Sequence, residues 1–303
     1  MLNTSSTLKG IYTSKKYHNC IGNRQTAVTT TTKQEHYKMS IYDTVTARIL
    51  ADMKTAQSAG TNWVTGFSVP KNATTQAHYR GINHILLRAG HWATYKQWVS
   101  IGAQVKKGEK GTHGIYYARK ENAEKQVSMI PCPFVVFSAD QVDGYEIPAL
   151  NEHERSIVPE VLINATGAKI EESLTDRAYY SPSMDYINMP SLAQFPSSDD
   201  YYSVLLHELS HWTGHKTRNN RDQSQEKEKY AFEELVAELG SAFLMAHLGL
   251  SMPETPRPDH AGYLASWIKA LGNDNKFIIQ ASSQAQKACD YILMSLEQAQ
   301  KVA

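Results

Sequence analysis

The sequence predicts an α+β protein made of two domains, and three observations lead to this fold class. The chain has 303 residues, which is long enough for two domains. Apolar residues recur with helical spacing in some segments, whereas β-branched and aromatic residues cluster in others. Charge also divides the chain, since residues 1–150 carry 18 Lys/Arg against 9 Asp/Glu and residues 151–303 carry 13 against 21. A basic half joined to an acidic half indicates two different tasks.

The first half begins with a polar leader and continues as an α+β domain. Residues 1–38 are rich in Thr, Ser and Lys, so they are predicted to be a disordered leader, and Met39 is an alternative start. The domain then spans residues 39–146. Its predicted elements are a helix from Met39 to Met53, a helix in "AHYRGINHILLRAG", a short helix in "HWATYKQWVSIGA", strands near 115–118 and 132–142, and a linker at 144–152.

The second half, residues 150–303, is predicted to be mainly helical around one hairpin. "IVPEVLINATGAKIEES" predicts a helix followed by a strand, and "AYYSPSMDYINMP" predicts a hairpin that turns at Pro182–Asp185. "SSDDYYSVLLHELSHWTGH" predicts a helix that stops at Gly214, and a longer helix ends at Gly249. Two further helices are expected around 261–271 and 277–299.

Composition excludes several protein classes. No run of about eighteen apolar residues occurs, so a membrane-spanning helix is not expected. The N-terminus lacks the apolar block of a secretory signal, so the expected location is the cytoplasm. Cys20, Cys132 and Cys289 lie far apart and are odd in number, which favours reduced thiols over a disulfide framework.

The segment "LLHELSHWTGH" carries the chemistry of the second half. His207 and His211 are four residues apart on a predicted helix, so their imidazoles share one face and can bind one cation. Glu208 lies beside them and is placed to act as a general base on a water molecule. The alternative is a structural histidine pair, because this short pattern also arises by chance in polar helices.

A third ligand can be sought downstream in "FEELVAEL". Glu234 and Glu238 share one face of an otherwise apolar helix, and like charges at this spacing destabilise a helix unless a cation compensates them. Glu234 is assigned as the third zinc ligand and Glu238 as the carboxylate that orients a histidine, although the two could be exchanged. Glu233 is expected to point to solvent. A third histidine ligand is disfavoured because Thr217 occupies its place. One Zn²⁺ per chain is therefore predicted, with other divalent metals possible.

The interval 53–108 contains seven basic residues and no acidic one. Aromatic residues alternate with these cations, a composition that can stack on unpaired bases and neutralise phosphates. The nucleic-acid-binding candidates are Trp63, Lys71, Arg80, Arg88, Lys106 and Lys107. The alternative is that the aromatic residues belong to the core, which is the expectation for Tyr95 and Trp98. No motif for sequence-specific reading is present.

Taken together, several motifs resemble a known family. These are "HYRGIN", "YKQWVSIGAQVKKGEKGT", "YYSVLLHELSHWTGH", "YAFEELVAELGSAFL" and "ASSQAQKACDYI". The chain resembles the ArdC-type antirestriction proteins of conjugative plasmids, whose N-terminal domain is shared with plasmid TraC-type primases. The resemblance implies a single-stranded-DNA-binding domain at 39–146 and a zincin-like metallopeptidase domain at 150–303. It also implies protection of incoming plasmid DNA from host restriction during conjugation.

Three functional hypotheses remain open at this stage. In the first, the protein binds single-stranded DNA and uses its zinc site on an unidentified protein substrate, for which a component of a restriction system is one candidate. In the second, the chain is a DNA-binding module whose zinc domain is not catalytic. In the third, it is an intracellular regulatory peptidase that cleaves a repressor, a hypothesis that leaves the basic interval 53–108 unexplained.

Overall fold

The computed structural model describes residues 40–121, 125–148, 158–256 and 260–302. The predicted leader and residues 149–152 of the predicted linker lie outside these residues. The helices are α1 Ile41–Ala59, α2 Ile82–Leu87, α3 Tyr95–Ser100, α4 Pro159–Thr166, α5 Ser198–Trp212, α6 Lys227–Leu248, α7 His260–Asn273 and α8 Phe277–Val302. The strands are β1 Lys71–Asn72, β2 His91–Ala93, β3 Gln104–Val105, β4 Thr112–Glu121, β5 Val127–Ser138, β6 Val142–Asp143, β7 Lys169–Ser173, β8 Tyr179–Ser181 and β9 Tyr186–Pro190. This composition confirms the α+β fold class.

The strands form three small sheets. The first has the order β1-β2-β5-β4 and is dominated by a long antiparallel ribbon of β4 and β5. The second pairs β3 with β6, and the third has the order β7-β9-β8. In the third sheet β7 runs parallel to β9, whereas β8 pairs antiparallel with β9 as the predicted hairpin. Strand β8 is therefore an edge strand.

Local sequence explains where the helices begin and end. Ser40 caps α1 through a reciprocal pair of hydrogen bonds with Asp43, and Gly60 ends the helix in the left-handed conformation at φ 67°. The predicted helix in "AHYRGINHILLRAG" is shorter than expected, because positive φ values at Gly81 and Arg88 confine α2 to six residues. "HWATYKQWVSIGA" likewise begins as strand β2, and Thr94 then caps α3.

The main hydrophobic core joins the two halves of the chain. It includes Ile49 of α1 and Ile85 of α2 together with Leu239 of α6 and Ile278 of α8, all nearly inaccessible to solvent. A second, smaller core lies around Trp98. Residues of both segments thus share the larger core. Burial of this apolar surface stabilises the two segments as one folding unit.

Two of the motifs named above meet at this junction. Arg80 of "HYRGIN" forms an ion pair with Asp290 of "ASSQAQKACDYI". In the same place the amide of Gly81 donates to Oε1 of Gln286 at 2.9 Å. Helix α8 therefore contacts the N-terminal half directly. Among the described residues, no helix is both long and apolar enough to cross a membrane.

Candidate metal centre

Helices α5 and α6 pack closely against each other and carry the predicted metal site. A Cβ atom at Gly240 would lie 2.4 Å from Oγ of Ser210, so glycine is needed at this point of contact. About two helical turns of α5 away, Oγ of Ser241 donates to the carbonyl of Ser203 at 2.7 Å. This close approach brings the histidines of α5 to the carboxylates of α6.

His207, His211 and Glu234 converge in space. The Nε2 atoms of the two histidines are 3.2 Å apart, and each lies 3.5 Å from an oxygen of the Glu234 carboxylate. Four ligands held tetrahedrally at about 2 Å from one zinc ion would be about 3.3 Å from each other. The spacing of these three side chains therefore fits a single divalent cation.

The other ring nitrogens of the histidines face carboxylates. Nδ1 of His207 is 3.7 Å from Glu238, and Nδ1 of His211 is 3.2 Å from Glu233. With the ring protons on Nδ1, both Nε2 lone pairs point at the same place, where their repulsion is relieved only by a cation or a proton. Burial lowers the pKa of His211, but Glu233 and Glu234 more than offset this and raise it to about 10. The site thus attracts positive charge strongly.

The expectation that Glu233 points to solvent is wrong. Its side chain is 5% exposed, and its carboxylate accepts from Nε of Arg221 at 2.9 Å and from Nη2 at 2.7 Å. Burial would raise the pKa of Glu233, but His211 and Arg221 hold it below its ordinary value. Arg221 also donates to Oγ1 of Thr213 at 2.8 Å and to the carbonyl of Ser210 at 2.6 Å. Glu233 therefore links His211 to the loop that follows α5.

The same loop fixes the hairpin beside the site. Arg218 donates through Nε to the carbonyl of Trp212 at 2.6 Å, and its guanidinium lies 3.9 Å from the centre of the Trp212 ring. Its Nη1 donates to Asp185 at 3.1 Å, at the turn between β8 and β9. Asp185 has a φ of 51°, which the turn requires. The turn of the hairpin is thus tied to the C-terminal end of the helix that bears both histidines.

A cavity of about 320 Å³ opens over the three convergent side chains. Glu208, which is 7% exposed, also lines it, and its carboxylate is held by no ion pair with any residue that the structure describes. Edge strand β8 forms part of another wall through Tyr179 and Tyr180. Tyr230 and Tyr263 complete the cavity, and their hydroxyls are hydrogen-bonded to each other at 3.0 Å. The cavity therefore combines a general-base candidate, hydroxyl donors and a strand edge.

Sequence reasoning missed four residues of this site, and the reasons differ. Glu233 adjoins Glu234 in "FEEL", yet helical position alone did not show which carboxylate faces a histidine. Arg221, Tyr230 and Tyr263 reach the site from a loop and from two other helix positions, so no local spacing connects them with the histidines.

The structure corrects two of the nucleic-acid-binding predictions. Trp63 is only 3% exposed and belongs to the main core, so it offers no face for stacking. Arg88 pairs with Asp52 at 3.1 Å, donates to the carbonyl of Thr65 at 3.3 Å and lies over the ring of Phe67. Arg88 therefore holds the 60–68 loop against α1 and is not a free cation.

The other four predicted cations lie at separate points of the first half. Lys71 is half-buried on β1, and Arg80 immediately precedes the turn into α2 and is bound to Asp290. Lys106 and Lys107 are exposed in the turn after β3, where Lys106 donates to the carbonyl of Asp140 at 2.9 Å. Arg80, Lys106 and Lys107 are thus the exposed cations of the predicted set.

Comparison with known protein families identifies both halves of the chain. Residues 39–152 match the model of the N-terminal domain of anti-restriction factor ArdC, and residues 158–284 match a zincin-like metallopeptidase. Two curated relatives are DNA primases TraC of Escherichia coli. They are 37% and 39% identical over 84% and 74% of this chain, but those matches span only 27% and 18% of the primases. A third relative, an uncharacterized protein of Sinorhizobium fredii, is 34% identical over 90% of this chain and 97% of its own length.

Two solved structures align with this chain over almost their whole length. Both are crystal structures of the antirestriction ArdC protein from plasmid R388, one metal-free and one bound to Mn(II). Each is 36% identical to this chain with a TM-score of 0.71. The metal-free match covers 86% of this chain and 99% of the ArdC chain. The metal-bound relative, the zincin-like family match and the convergent ligand set together indicate a divalent-metal site.

Proposed function

We propose, on the premise that the chain belongs to the ArdC family of antirestriction proteins, that it binds single-stranded DNA and protects incoming plasmid DNA from host restriction during conjugation. The match to the ArdC crystal structure carries this proposal, because the aligned region includes both the N-terminal segment and the zincin-like segment. The acid-free basic interval 53–108 supports a polyanionic partner.

The metal site adds a hydrolytic capacity to this proposal. His207, His211 and Glu234 would hold Zn²⁺, while Glu238 and Glu233 orient the two imidazoles. Zinc in such a site activates water and polarises a carbonyl group. Glu208, whose carboxylate forms no ion pair with any described residue, would take the proton from the attacking water and pass it to the leaving amine.

The walls of the cavity support a peptide substrate. Among the strands that the structure describes, β8 pairs only with β9, so its other edge can offer main-chain groups to an extended chain. Tyr230 and Tyr263 place two hydroxyls on the same cavity, where they can donate to the carbonyl oxygen on which negative charge develops. The protein substrate would thus bind as an added strand, and a component of a restriction system is the candidate that fits the proposed role.

Conjugation of a restriction-sensitive plasmid tests the proposal. Transfer into a restricting host is measured with the wild-type chain, with Glu208→Gln and without the protein, and a non-restricting host serves as the reference. We expect the wild type to raise transfer only into the restricting host. Equal transfer with and without the wild-type chain would contradict an antirestriction role.

The Glu208→Gln arm separates the hypotheses about the zinc domain. Loss of protection with retained metal would support cleavage of a protein target. Full protection by Glu208→Gln would favour a DNA-binding module whose metal domain is not catalytic. If the chain is a regulatory peptidase that cleaves a repressor, neither the wild type nor Glu208→Gln should raise transfer into the restricting host.

A further inference from the structure

A second cavity lies where α8 crosses the N-terminal half, and its volume is about 690 Å³. Residues around α2 and β4 form one wall, among them Arg80 and Tyr117. Helix α8 forms the opposite wall. None of the described residues that line this cavity is acidic. We call this cavity the α8 groove.

The α8 wall presents a polar stripe to this groove. Gln280, Ser283, Gln284 and Lys287 are spaced by three, one and three residues, so they share one face of the helix. Three of them are exposed and Gln284 is half-buried. A helix face of amides, a hydroxyl and one lysine offers hydrogen bonds to base edges and a positive charge to a phosphate.

The opposite wall offers an aromatic face and a second cation. Tyr117 is 38% exposed in the groove, and the Arg80 side chain is 57% exposed although it pairs with Asp290. An ion pair this accessible is worth little, so Arg80 can exchange its partner for a phosphate. Asn83 holds this wall rigid through two hydrogen bonds with Ile115, at 2.8 and 2.9 Å. These two bonds join the start of α2 to β4 within this wall.

We propose that the α8 groove binds single-stranded nucleic acid, so that the zincin-like segment supplies part of the DNA site. The inference rests on the proposed function and adds α8 to the basic N-terminal half. Arg80 and Lys287 place one cation on each wall to pair with phosphates, none of the described residues that line this groove is acidic, and an accessible tyrosine ring stacks only on an unpaired base. The motif "ASSQAQKACDYI" then has two roles, because its buried side holds the N-terminal half while Ser283, Gln284 and Lys287 face the ligand.

Titration of a fluorescent oligothymidylate against the full chain tests this proposal at several salt concentrations. Lys287→Gln removes the lysine of α8 that lines the groove, and Lys269→Gln is the matched control, an exposed lysine of α7 that does not line the groove. Loss of one phosphate contact should weaken binding roughly five-fold at 0.1 M salt and lower the salt slope by about 0.7. The control should bind like the wild type.

A second variant tests the stacking part of the proposal. Tyr117→Leu should weaken binding of the single strand and leave the salt slope unchanged, and thermal melting shows whether each variant is folded. If the wild type binds the oligonucleotide and the affinities of Lys287→Gln and Lys269→Gln do not differ, the α8 groove is not part of the DNA site, whereas the proposed function still holds. Failure of the wild type to bind would overturn both. An equal loss of duplex and single-strand affinity in Lys287→Gln would refute the single-strand preference.

Discussion

Replacement of Glu233 by glutamine probes the carboxylate that sequence reasoning misplaced. The Arg221 and Glu233 side chains are 4% and 5% exposed, so water does not compensate for their lost attraction. Removal of one partner from a buried ion pair costs about 3–5 kcal/mol. The amide oxygen of glutamine can still accept one hydrogen bond, and Arg221 keeps Thr213 and Ser210 as partners, so we expect the lower end, about 3 kcal/mol.

The same substitution should weaken metal binding. Without the carboxylate, Nδ1 of His211 loses the partner that fixes its tautomer and raises its basicity, which typically costs 10–100-fold in affinity, as an order of magnitude. Thermal melting of the metal-free protein measures the first effect, expected as a drop of about 6–12 °C for a chain of this size. Competition with a chromogenic zinc chelator measures the second.

Glu228→Gln is the matched control, since Glu228 is an exposed residue of the same helix. It should leave both the melting temperature and the metal affinity unchanged. If Glu233→Gln has the same melting temperature and metal affinity as Glu228→Gln, the link from Arg221 through Glu233 to His211 contributes neither to stability nor to metal binding.

Three other perturbations follow from the packing. Gly240→Ala should lower the free energy of unfolding by about 1–3 kcal/mol and weaken metal binding, because its methyl group would force α5 away from α6 at Ser210. An unchanged melting temperature would contradict this close contact. Burial lowers the pKa of His84 to about 3, so the folded state stays neutral while the unfolded state gains a proton as pH falls below 6.5. Stability should therefore fall between pH 6.5 and 3 by up to about 1.4 kcal/mol per pH unit, and His84→Phe should remove that dependence in urea titrations. Trp63→Phe should lower stability by roughly 1–2 kcal/mol yet leave oligonucleotide affinity unchanged, and a selective loss of affinity would restore Trp63 as a binding residue.

Local periodicity was sufficient to predict those parts of the site that lie on a single helix. His207 and His211 share a face because they are four residues apart, and the charge on Glu234 within an apolar helix required compensation. The hairpin was also predictable, since proline and aspartate mark its turn. In each case one stretch of sequence contains both the signal and the structure that it specifies.

The features that sequence did not predict depend on contacts between distant segments. Arg221 reaches Glu233 from a loop. The local sequence around either residue does not indicate that this cation and this carboxylate will be buried together. Trp63 has the composition of a stacking residue, but the core formed with α1 and the second half encloses its ring. Helix α2 ends early because Arg88 takes a positive φ while its side chain binds Asp52 and the loop. Tertiary packing decides these positions.

The metal content of the chain and two variants, measured by elemental analysis after purification without added chelator, tests the candidate metal centre most directly. The geometry predicts about one zinc per chain for the wild type and for Glu208→Gln, because Glu208 is not a ligand, and loss of the metal in Glu234→Ala. Absence of a stoichiometric divalent metal from the wild type, or equal loss in Glu208→Gln and Glu234→Ala, would contradict a site in which His207, His211 and Glu234 bind the metal and Glu208 remains free for catalysis.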